Sequence, residues 1–108
     1  MSTTTATIDT ALAQGALNRA EAAFQRVLEA SRSARHAEAF MVASRAKHVI
    51  DARLAADEAA CEVDAAANEV HNLTDGRGPL SDQAEATAEA AFVLFQQVNE
   101  IHHRCVDF

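Results

Sequence analysis

Five His and two Cys carry most of the chemical potential of this sequence. The densest group is Glu100-Ile101-His102-His103-Arg104-Cys105. Glu100 and His103 form one Glu-x-x-His unit, the spacing with which helical bundles hold a pair of iron ions. Such bundles need a second unit and two further Glu from other helices. The sequence contains no second unit. A zinc site built on His102 and Cys105 would lack two of its four ligands. A plainer role accounts for these residues: His102, His103 and Arg104 fall in the last turn of a helix, and His71 near the end of another. Positive charge there complements the helix dipole. No metal and no cofactor is expected.

Other chemistries fail on spacing. Gly76-Arg77-Gly78-Pro79 is a short turn without the Gly-rich run and Lys-Ser/Thr that cradle phosphate. No Ser, His and acid arrangement suggests nucleophilic catalysis, and Ser31 and Ser44 are ordinary helix residues. Neither His36-Ala37-Glu38-Ala39 nor His48-Val49-Ile50-Asp51 has the Lys and Gly that follow a phosphotransfer His. Arg19, Arg26, Arg32, Arg35, Arg45, Lys47 and Arg53 form a basic segment, but no aromatic residues interleave with them and the net charge is -7. Direct nucleic-acid binding is therefore not expected. The residues predict no enzyme.

The elements that position these side chains are helices. Of 108 residues, 26 are Ala and only 25 are Val, Ile, Leu, Met or Phe; there is no Trp or Tyr, three Gly and one Pro. Strand-rich folds need β-branched and turn residues in greater number. Two Cys cannot supply a disulfide framework. The length fits one domain, residues 1–108. No apolar run approaches the roughly 20 residues of a membrane span, and the first residues have neither a basic region nor an apolar one. A cytoplasmic location without membrane contact is expected.

No Gly or Pro lies between Gly15 and Gly76. The pair of Ser in Ser31-Arg32-Ser33-Ala34-Arg35 is the best candidate for a break in that stretch, because Ser competes for helical hydrogen bonds. A clear break follows at Thr74–Pro79, after which Ser81 or Asp82 is expected to cap, with Glu85 at capping-box spacing from Asp82. The pattern predicts a flexible tail over 1–6 and helices over 8–31, 35–73 and 81–105. The fold class is all-α, an antiparallel bundle of about three helices around a long central one.

Heptad spacing refines this. In the third helix Ala84, Ala88, Ala91, Phe95, Val98, His102 and Cys105 form one seam, backed by Asp82, Glu85, Glu89, Gln96 and Glu100. The second helix has two seams. One runs Val42, Ala46, Val49, Arg53, Ala56, Ala60, Val63, Ala67, Val70. The other runs Phe40, Ala43, Lys47, Ile50, Leu54, Asp57, Cys61. Two seams imply two neighbours, which makes this helix the expected centre. An acidic stripe, Asp51, Glu58, Glu62 and Glu69, lies on its far side. The mismatched helix lengths leave both ends of the second helix uncovered, so a homodimer is expected to complete the bundle through Phe40, Ile50 and Leu54. In an antiparallel hairpin about residue 77, Cys61 and Cys105 lie at levels roughly 18 Å apart, too far for a disulfide.

Residues 19–53 hold seven Lys/Arg and four Asp/Glu, net +3; residues 54–108 hold two and eleven, net -9. The two halves attract each other, or the acidic surface serves a basic partner. Two functions follow as expectations. The first is a non-enzymatic protein–protein interaction module, an adaptor or structural bundle. The second is an acidic inhibitor of the phage or mobile-element type, anti-CRISPR-like in mimicking nucleic acid. It would block a basic nucleic-acid-binding site on its partner with Asp51, Glu58, Glu62, Glu69, Asp82, Glu85, Glu89 and Glu100. No motif ties the chain to either kind of protein.

Overall fold

In a computed structural model the chain forms three helices and no strand among the described residues. The description covers residues 2–40 and 43–106, with side chains from residue 9 onward. Helix α1 spans Ser2–Phe40, α2 Arg45–Thr74 and α3 Pro79–Cys105. All three pack against one another along a rod of 63 × 16 × 15 Å.

Cross-helix polar pairs give the register. Arg19 meets Glu69 and Arg26 meets Glu62, so α1 and α2 run antiparallel. Arg53 Nε donates to Asn99 Oδ1 at 2.9 Å and His71 Nδ1 lies 2.6 Å from Ser81 Oγ, so α2 and α3 are antiparallel too. Arg35 donates to Gln97, and Arg104 to Glu38, so α1 and α3 are parallel.

The helix boundaries differ from the expected 8–31, 35–73 and 81–105. Helix α1 runs without interruption through Ser31–Arg35. Ser31, Ala34 and Ala37 are buried there, and helical spacing of small core residues outweighs the local preference of two Ser for a turn. The first turn instead lies between Phe40 and Arg45, where Ser44 takes the left-handed conformation (φ 64) and His48 N donates to its carbonyl at 3.1 Å. Helical backbone begins at Ser2, inside the stretch expected as a tail. The second turn is where the sequence places it. Asp75 and Gly76 both have positive φ, and Gly76 N closes the helix end on His71 O at 2.8 Å. The expected cap does not form. Gly78 stands at the N-cap without a side-chain bond, Pro79 opens the helix, and Ser81 turns its hydroxyl to His71 while Asp82 sits in the first turn.

The long central helix is also corrected. Helix α1, with 39 residues, is the longest, and α2 has 30. At the registers above, α1 from about Gln14 onward and the whole of α3 flank α2, so both of its ends are covered. The overhang belongs to the first turns of α1, where Leu12 is exposed beyond the end of α2.

Three core clusters succeed one another along the rod. Near the second turn, Leu17 packs with Ala13, Ala16, Ala67, Val70 and Ala84. In the middle, Val27 and Val63 meet Ala23, Ala59 and Ala91. Near the first turn, Val49, Val98 and Ile101 fill the space between Ala30, Ala34, Ala37, Ala52 and Ala56. Ala at most positions lets the backbones approach closely, so the core is narrow and holds few large side chains.

Candidate functional site

Helix α2 decides which surfaces remain for function. Its first seam is the internal one: Val49, Ala56, Val63, Ala67 and Val70 are buried, and Arg53 and Ala60 half-buried beside α3. Ala46 is exposed, and Val42 lies outside the described residues. The neighbour α1 is not met through the second seam. It is met through Ala52, Ala59 and Ala66, seven residues apart and buried. Small side chains suffice there because the helices are close.

The second seam therefore points outward. Leu54 is 59% exposed and Ile50 37% exposed. Ala43, Lys47, Asp57 and Cys61, on the same heptad spacing, are exposed as well. Phe92 adds to this side of the bundle. It lies two turns before Asn99, the α3 residue bonded to Arg53, so it flanks α2 at the level of Ala60, and it is 58% exposed. Phe40 does not continue the stripe, because the turn after it breaks the helical phase. It is 75% exposed and rests its ring against His36, with centroids 5.1 Å apart. Phe40, Ile50 and Leu54 are thus surface residues, although the uncovered helix ends that motivated them do not exist.

The eight expected acidic contacts do not share a face. Glu62 and Glu69 turn toward α1 and pair with Arg26 and Arg19. Asp51 takes the Lys47 ammonium at 3.1 Å within its own helix. Glu58 lines the shallow α1–α2 groove together with Arg26, Arg32, His36 and His48. Asp82, Glu85, Glu89 and Glu100 are exposed on the outer side of α3, across the bundle from that groove. Two of the eight carboxylates, Glu62 and Glu69, are thus consumed where α1 meets α2; α1 itself holds four Arg and four Asp/Glu and is neutral overall.

The Glu100–Cys105 segment is built for structure. Glu38 near the end of α1 accepts two bonds from Arg104, at 2.8 Å from Nε and 2.9 Å from Nη2, a forked clamp between parallel helix ends. The Arg104 hydrogen bonds hold the Glu38 carboxyl below the ordinary glutamate range. The Cys105 thiol lies 3.7 Å from the same carboxylate and packs against the cluster around Val49 and Val98. His102 is half-buried and His103 exposed. Among the described residues no three His, Cys, Asp or Glu converge as metal ligands, and none of the helices is long and apolar enough to cross a membrane.

Cys61 and Cys105 are both free thiols in different settings. Burial, followed by the Glu38 carboxylate, pushes the Cys105 thiol above its usual pKa. The thiolate is the reactive form, so iodoacetamide is expected to modify exposed Cys61 first and Cys105 slowly at pH 8. Raising the pH should narrow the gap, and Glu38→Gln should accelerate Cys105. Equal rates in intact protein, read by peptide mass spectrometry, would contradict this placement.

The turn at Ser44 was missed because no Gly or Pro marks it. Among the described residues Ala37 and Val49 are successive buried positions, and on one continuous helix they would stand about 120° apart. No protein-family model, curated protein or solved structure matches this chain.

Proposed function

We propose that this protein is a non-enzymatic protein–protein interaction module, a structural or adaptor bundle that docks through the outer face of α2. The supporting observation is the exposed stripe of Ile50 and Leu54. It keeps coiled-coil spacing along a helix whose internal contacts are already complete without it. Exposed apolar side chains in a regular row mark a contact surface more often than scattered ones do. The protein is a rod of 63 × 16 × 15 Å, and its partner is a protein segment able to lay an apolar helix along that row. No membrane or cofactor enters this mechanism.

A second reading rests on α3. Asp82, Glu85 and Glu89 have no basic partner among the described residues and form an acidic ridge. It would serve an acidic inhibitor acting on a basic nucleic-acid-binding site, but with only the α3 half of the contacts expected for one.

Salt and substitution separate the two. A complex formed through the α2 stripe should persist as ionic strength rises, lose its partner on Leu54→Asp, and ignore Glu85→Lys with Glu89→Lys. A complex formed through α3 should weaken steeply with salt and show the opposite sensitivity. Binding that survives Leu54→Asp at all salt concentrations, with helicity unchanged by circular dichroism, would overturn the first reading.

A further inference from the structure

The outer stripe of α2 has a symmetry that identifies what covers it. Within the helix its central positions are Lys47, Ile50, Leu54 and Asp57, at spacings of 3, 4 and 3 residues. That order reads the same from either end and is centred on Ala52. A second α2 laid antiparallel across it places Ile50 against Leu54 and Leu54 against Ile50. Lys47 then meets Asp57 at both ends. These are the layers an antiparallel helix pair forms, each position of one heptad type facing the other type. Both apolar layers and both charge layers match. The parallel alternative stacks Lys47 on Lys47 and Asp57 on Asp57, two like-charge layers.

The structure leaves these groups in place for such a contact. Lys47 and Asp57 are exposed; Asp57 has no ion-pair partner among the described residues, and Lys47 holds only Asp51 in an exposed pair within its own helix, which it would exchange for Asp57 of the second copy. Beside the stripe, Arg53 is engaged by Asn99 in its own chain. Phe92, level with Ala60 on the α3 side, would reach the exposed Ala46 of the second copy in the same register. An isologous contact of this kind closes after two copies.

We infer that the protein forms an antiparallel homodimer through the outer faces of two α2 helices, with Lys47–Asp57 pairs at each end of an Ile50–Leu54 centre. This rests on the docking role proposed for the α2 stripe and names the occupant as a second copy. The contact is short, roughly 15 Å of helix from Lys47 to Asp57, so the dimer is expected to be weak.

Sedimentation from micromolar to millimolar concentration tests it. The intact chain should approach twice 11.5 kDa. Lys47→Glu alone and Asp57→Lys alone should each weaken self-association about tenfold, since two attractive layers become repulsive. An equimolar mixture of these two variants should associate again, because every cross-pair is then of opposite charge. Both substitutions sit on the surface, and unchanged circular dichroism verifies the fold. Separately, mild oxidation of the intact chain should leave Cys61 largely unlinked, because the two Cys61 lie at opposite ends of an antiparallel pair, whereas an efficient Cys61–Cys61 link would show a parallel pair and overturn the inference. A monomer at every concentration, or a dimer indifferent to both charge variants and to their mixing, would overturn it as well. If the chain stays monomeric while Leu54→Asp still abolishes capture of another protein, self-pairing falls and the docking role stands. If Leu54→Asp changes neither, the docking role falls too.

Discussion

Leu17→Ala is expected to destabilise the protein by about 3 kcal/mol, near the middle of the range for Leu truncation in close-packed cores. Leu17 is 1% exposed and is the largest fully buried side chain among the described residues. Its buried neighbours Ala13, Ala16, Ala67 and Ala84 are too short, and Val70 too stiff, to collapse into the space it leaves; only Leu73 and Leu80 at the rim could relax toward it. The cavity therefore stays largely open, and cavity volume is what raises the cost. Such a loss is a large fraction of the total stability of roughly 5–15 kcal/mol typical of a domain. The midpoint of thermal unfolding should fall by more than about 10 °C. A drop of only two or three degrees would mean that the α1–α2 end of the rod relaxes around the gap.

The second large effect separates two residues that are neighbours in sequence. Ala56→Leu should cost about 1–3 kcal/mol, because Ala56 is fully buried among Ala30, Ala34, Ala52 and Val98 and the added atoms force the helices apart. Leu54→Asp, two residues earlier on the outer face, should change the stability of the monomer by no more than about 1 kcal/mol. Chemical denaturation of both variants at low protein concentration measures the difference. If Leu54→Asp proves the more damaging, α2 is rotated from the orientation described here and its second seam is internal.

The same contrast shows how far patterns reach. The α3 seam was legible because it is a single stripe: Ala84, Ala91 and Val98 are buried, and Asp82, Glu85, Glu89, Gln96 and Glu100 are exposed. A single stripe leaves only one way to face a core. The turn at Asp75–Gly78 was legible because Gly and Pro impose backbone geometry whatever surrounds them. The first turn carries neither residue. Ser44 adopts a left-handed conformation that its side chain does not request, and the packing of α1 against α2 holds it there. Ser31 shows the converse. Its hydroxyl is buried without a hydrogen-bond partner, and the continuous helix around it overrides what Ser would do locally.

The sequence by itself determined the helical class, the absence of strand-forming composition, the second turn, the face α3 turns inward, and the existence of two candidate seams on α2. These follow from residue type and spacing along one helix, which are local properties. Only the tertiary structure decided where α1 ends, which acidic residues are spent on Arg19 and Arg26, and which α2 seam is internal. Each of those depends on how closely helices approach. Ala52, Ala59 and Ala66 let α1 pack so tightly that Ile50 and Leu54 are not needed between them, and those side chains are left facing out.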